Sequence, residues 1–127
     1  MIVLDANVLI AHLDAGDAHH QRATSLLLSA DDEPLGASPL TLAEVLVGPA
    51  RAGQLDRADL ALKELEIQSV GLPEEAPMRL AMLRARRGLR LPDCCVLLAA
   101  QQVGGSVATF DERLAASARE LGLTVLG

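Results

Sequence analysis

At 127 residues the chain has the length of one ordinary domain and can bury a real core. Half of it is hydrophobic, yet it has no Trp or Tyr and only Phe110 among the aromatics, so composition offers no ready platform for stacking unpaired bases. A formal net charge of −6 excludes a protein that coats nucleic acid by bulk positive charge, but not an acidic site neutralised locally by a cation.

In chain order, Met1–Leu4 reads as a short strand apolar on both faces, and Ala6–Leu13 as a short helix. Asp17 is placed to N-cap a second helix running to about Ser29. The run Asp31-Asp32-Glu33-Pro34 reads as a turn and Leu35-Gly36-Ala37 as a strand. Ser38-Pro39 is a strong helix start, a hydroxyl cap followed by Pro at the first helical position, and that helix fades near Gly48-Pro49 or Gly53. Leu55–Leu65 is helical, Ile67–Leu72 fits a strand, and Glu74–Arg87 is a helix stopped by Gly88. Another helix opens at Leu91-Pro92-Asp93 and stops before Gly104-Gly105. Ser106–Thr109 is a strand, Asp111–Leu121 a helix and Thr124-Val125-Leu126 a last strand. Short apolar strands alternating with helices predict a parallel sheet covered on both faces, here one three-layer α/β/α domain over residues 1–127.

Adjacent Cys94 and Cys95 are neither a disulfide framework nor a CxxC motif and read as small core residues in a reducing compartment. The N-terminus lacks a signal-peptide pattern, and the longest apolar run, Cys94–Ala100, is far short of a membrane span. A cytoplasmic protein with no membrane contact is expected.

Four acids stand where acids are costly. Asp5 ends the first strand, Asp111 follows the strand that ends at Thr109, Asp93 opens an apolar helix, and Glu44 interrupts the apolar segment Leu40–Val47. An unpaired carboxylate against apolar surface neutralises or finds a cation. Asp5 and Asp111 lie at the carboxyl ends of their strands, the edge where open α/β sheets bind ligands. The spacing of Glu44 to Leu40 and Val47 places it on an inward stripe, so Glu44 and Asp93 can approach the same edge. Each acid also has a plainer use: Asp5 and Asp111 as helix caps, Asp93 as a first-turn acid, Glu44 in a pair with an arginine. Carboxylates sharing one place call for a hard divalent cation, Mg²⁺ or Mn²⁺. His12, His19 and His20 lack metal-ligand spacing; His19 and His20 read as surface residues near a helix start.

The segments Ile2–Asn7, Ser38–Val45, Leu91–Asp93 and Ala108–Asp111, in that order and spanning nearly the whole chain, resemble the PIN domain and, more narrowly, the small VapC-type toxins of bacterial toxin–antitoxin pairs. The resemblance implies a parallel-sheet α/β/α fold and Mg²⁺- or Mn²⁺-dependent endoribonuclease activity. It implies Asp5, Glu44, Asp93 and Asp111 as the catalytic and metal-binding acids, with Asn7 and Thr109 supporting them. It also implies an RNA substrate, a VapB-type antitoxin partner and a homodimer. Many relatives carry Thr where this chain has Ala6, which removes one supporting hydrogen bond. A non-catalytic PIN-like binding module and a housekeeping RNA-processing nuclease are the alternatives. A haloacid-dehalogenase-like phosphatase would want Asp at position 7, where Asn7 stands. Arg84, Arg86, Arg87 and Arg90 cluster before Asp93 and either grip RNA phosphates or serve as a solvated helix end. With so few aromatics, recognition of RNA shape is expected over base stacking.

Overall fold

A computed structural model describes residues 1–30 and 32–127. Its elements are β1 (Ile2–Leu4), α1 (Ala6–Leu13), α2 (His20–Ser29), β2 (Leu35–Ala37), α3 (Pro39–Arg51), α4 (Leu55–Glu64), β3 (Gln68–Ser69), α5 (Ala76–Arg87), α6 (Leu91–Val103), β4 (Ser106–Ala108), α7 (Glu112–Glu120) and β5 (Val125–Leu126). The five strands form one sheet in the order β3-β2-β1-β4-β5, and every neighbouring pair is parallel. This is the expected α/β/α arrangement.

The pleat of β1 divides the core. Ile2 and Leu4 join one apolar cluster with Val8, Leu9, Leu27, Val45 and Leu62, residues of α1–α4. Val3, on the opposite face, packs with Val96, Leu97, Leu114 and Ala118 of α6 and α7. Aliphatic side chains fill both layers, and α6 is the most deeply sunk helix: all seven residues from Cys94 to Ala100 are buried. Both cysteines are among them and carry free thiols. Gly105 permits the approach of β4 to the start of β1, since a Cβ there would stand 2.4 Å from the Met1 carbonyl oxygen. Gly88 ends α5 in the left-handed conformation, as the sequence pattern predicts.

Several boundaries differ from expectation, each for a local reason. Asp17 does not cap α2. Its carboxylate accepts the His19 N–H (2.8 Å) inside a turn, and the helix starts three residues later at His20. α5 begins at Ala76 because the Pro73–Ala76 turn, closed by the Ala76 N–H on the Pro73 carbonyl, takes up Glu74 and Glu75. Of the two ends expected for α3 the later one holds: the helix continues through Pro49 to Arg51, just before Gly53, because a proline in the last turn removes only one bond of the ladder. β3 is two exposed residues at the sheet edge, a short edge strand that offers little to another chain. Of the turn expected at Asp31–Pro34, Asp31 lies outside the described residues. Among the described residues no helix is long and apolar enough to cross a membrane.

Candidate metal centre

The carboxyl end of β1 delivers Asp5 to the edge of the sheet, where its N–H bonds the Ala108 carbonyl of β4 (2.9 Å). The side chain is only 7% exposed. One carboxylate oxygen accepts the Ala6 N–H (2.7 Å) and so caps α1; the other accepts the Thr109 hydroxyl (2.7 Å). Each oxygen keeps a further lone pair. Thr109 is buried and central to this arrangement. Its oxygen also accepts the Asp111 N–H (3.0 Å) and the Asn7 amide (3.5 Å), while the Asn7 carbonyl oxygen accepts the Phe110 N–H (3.3 Å). The loop after β4 is thereby tied to the loop after β1.

Asp111 caps α7 through one oxygen, which accepts the N–H groups of Arg113 (2.9 Å) and Leu114 (3.3 Å). The plain capping role is real for both Asp5 and Asp111, and in each case it aims the carboxylate rather than consuming it. Asp93 sits in the first turn of α6, with Arg90 Nε 3.9 Å from its carboxylate. Glu44 is half-buried on α3. The stripe that places it differs from the one expected: Leu40 and Val47 are 41% and 45% exposed, and the buried line of α3 runs through Thr41 and Val45. Thr41 tolerates burial because its hydroxyl pairs with Ser38 (3.1 Å), and Glu44 flanks that line at the rim.

The acids feel one another. Burial pushes Asp5 up to about 6, against the hydrogen bonds from Thr109 and Ala6, and the charges of Asp93 and Asp111 push it further. Burial raises Asp93 as well, with Arg90 and Arg113 opposing and Asp111 adding. Glu44 is raised by burial and by Asp93, and eased by Arg90. Among the described residues no three acidic, histidine or cysteine side chains are already closed into a ligand set. What the fold holds is an open acidic rim made only of carboxylate oxygens, in which Asp5, Glu44 and Asp93 are costly to ionise. That donor chemistry fits Mg²⁺ or Mn²⁺. The nearby thiols do not compete, because burial pushes both Cys94 and Cys95 up.

The arginine cluster is dispersed. Arg84 donates to the Leu89 carbonyl (2.9 Å), Arg87 pairs with Glu120 of α7, and Arg86 lines a cavity of about 400 Å³ between α5, α6 and α7 with Met78, Met82 and Leu121. Only Arg90 of the four faces the acids. The partner that sequence reasoning missed is Arg113, whose charge reaches Asp93 while its guanidinium donates to the Gly88 carbonyl (3.3 Å). Its position two residues after Asp111 was the available signal.

Residues 2–120 match the PIN domain family. The chain belongs to that family. Similar solved structures agree with the PIN fold across nearly its whole length. A chain of a toxin–antitoxin complex from Klebsiella pneumoniae has a TM-score of 0.77 at 25% identity and covers 100% of this PIN domain and 97% of its own length. VapC20 from Mycobacterium tuberculosis, described as a Sarcin-Ricin loop cleaving toxin, has a TM-score of 0.75 at 18% identity, covering 92% and 95%. FitAcB from Neisseria gonorrhoeae has a TM-score of 0.73 at 23% identity, covering 100% and 97%. A search of curated protein sequences gives no match.

Proposed function

We propose that this PIN domain, taken as one unit over residues 1–127, is a Mg²⁺- or Mn²⁺-dependent endoribonuclease, the toxin of a VapBC-like pair. The observation that carries the reading is the acidic rim: four carboxylates at one edge of a parallel sheet, three of them pushed up by burial and by one another. Asp5, Asp93 and Asp111 would hold the cation, with Glu44 completing the set directly or through a water. When bound, the cation would activate water and offset charge on the phosphodiester in the transition state. The chain's own residues do the rest. Thr109 and Asn7 fix Asp5 and the Asp111 loop in place, and Arg90 and Arg113 temper the negative rim so that a phosphate can approach. No side-chain nucleophile is required.

The likeness to toxins and toxin–antitoxin complexes supports an RNA substrate and a VapB-type antitoxin, and the proposal extends to a homodimer that acts in the cytoplasm. The test incubates purified protein with structured RNAs in Mg²⁺, Mn²⁺ or EDTA, beside Asp5→Asn. Cleavage in metal only, lost in the variant, is the expected result; cleavage that persists in EDTA would refute the metal requirement. Growth arrest on expression, lost in Asp93→Asn, would mark a toxin rather than a housekeeping enzyme.

A further inference from the structure

Composition argued against stacking of bases, but the fold assembles a π surface from residues that the sequence keeps apart. Phe110, the residue before Asp111, is half-buried at the edge of the α1–α4 layer. The Arg22 guanidinium lies over its ring, 4.7 Å from the centroid, and also donates to the Gly127 carbonyl. The His19 ring meets it at 5.2 Å with the planes inclined by 34°. His19 and Arg22 are both exposed. The backbone beneath is fixed, since the Phe110 N–H is held by Asn7 and the Asp17 carboxylate holds the His19 N–H. His20, packed against His12 at 6.4 Å and bonded to the Ala11 carbonyl (2.8 Å), anchors the start of α2 that carries both exposed groups.

An imidazole and a guanidinium plane braced on an aromatic ring match what unpaired bases stack upon in RNA recognition. Guanidinium charge also attracts the adjoining phosphate, which matters beside an acidic rim on a chain of net charge −6. Arg90 and Arg113 supply charge near Asp93, and Arg22 supplies it near Phe110. We infer that His19 and Arg22, braced by Phe110, form a subsite that stacks one unpaired nucleobase of the RNA next to the phosphodiester that is cut. The inference rests on the ribonuclease reading and adds a preference for an unpaired base at a defined place.

The test uses RNA carrying 2-aminopurine at successive positions around the cleavage site, bound to the Asp93→Asn protein so that no strand is cut. Stacking quenches the fluorophore at one position. His19→Ala and Arg22→Lys, each combined with Asp93→Asn, should relieve that quenching and weaken binding by roughly five- to a hundredfold. Arg22→Lys keeps the charge and loses the plane, so its loss of quenching separates stacking from attraction to phosphate. In proteins with Asp93 intact, the same two substitutions should raise KM and erase the preference for an unpaired base while kcat holds. Phe110→Leu, which keeps the apolar bulk, should act in the same direction. Cleavage by the wild type, with quenching and KM unchanged in both variants, would overturn the subsite and leave the nuclease standing. Quenching lost in the variants, with no cleavage by the wild type, would keep the subsite and overturn the nuclease. Absence of both binding and cleavage would overturn the two together.

Discussion

Asp5→Asn should stabilise the metal-free protein near neutral pH while abolishing metal-dependent cleavage. Burial holds the Asp5 carboxyl at about 6, against 3.8 for an ordinary aspartate. Between those two values the native state keeps a proton that the unfolded chain has released, so stability falls as pH rises from about 4 through 6. The gap corresponds to about 3 kcal/mol. Asparagine also caps helices well, so α1 is retained, but the Thr109 hydroxyl has to turn away from the amide, which leaves a net gain of roughly 1–2 kcal/mol. For a chain of this size that is a rise in Tm of about 3–10 °C. Thermal unfolding in EDTA at pH 7.5 and at pH 4.5 measures it. The variant should be the more stable at the higher pH, and the two proteins should converge at the lower. Mg²⁺ should raise the Tm of the wild type and leave the variant unmoved. A variant less stable than the wild type at pH 7.5, or a difference independent of pH, would show that the ionised Asp5 does not strain the metal-free fold.

Thr109→Val keeps the shape and removes the hydroxyl that holds Asp5 down, a charged hydrogen bond worth about 1.5–3 kcal/mol. The acidic limb of metal-dependent cleavage should move to higher pH by about one to two pH units, which a pH–rate profile reads directly. Arg90→Gln should weaken RNA binding severalfold, whereas Arg87→Gln, which breaks only the pair with Glu120 at the molecular surface, should change RNA binding little and stability by less than about 1 kcal/mol. Equal effects of the two in a binding titration would revive the arginine cluster as one unit. Gly105→Ala drives a methyl into the Met1 carbonyl and should destabilise the protein by about 1–3 kcal/mol in a urea titration.

The alternation of strands and helices was readable because the buried strands β1, β2 and β4 are short runs of mostly apolar residues soon followed by an acid or Pro, as at Leu4-Asp5 and Ala37-Ser38-Pro39. The same punctuation exposed the acids: a carboxylate that ends a buried strand stands at the sheet edge by construction. Helix starts were harder. Asp17 has the chemistry of a cap, yet its carboxylate closes a turn instead, and local propensity could not rank the two uses. Helical spacing placed Leu40 and Val47 on the inward side of α3, yet the buried line runs through Thr41, whose hydroxyl is paired with Ser38, and Val45, with Glu44 half-buried beside it. The arginines before Asp93 share a stretch of sequence but point to different partners, which their spacing along the chain did not resolve. The His19–Arg22–Phe110 surface joins positions about ninety residues apart, and only the packing of α2 beside the loop after β4 brings them together.

We propose that Asp5, Asp93 and Asp111, with Glu44, hold the divalent cation on which RNA cleavage depends. A Mn²⁺ titration followed by electron paramagnetic resonance, with RNA cleavage read on the same samples, tests it most directly. Bound Mn²⁺ and cleavage should rise together in the wild type, and both should be lost in Asp5→Asn and Asp93→Asn. Mn²⁺ bound equally by the wild type and both variants, or cleavage that does not follow Mn²⁺ binding, would contradict it.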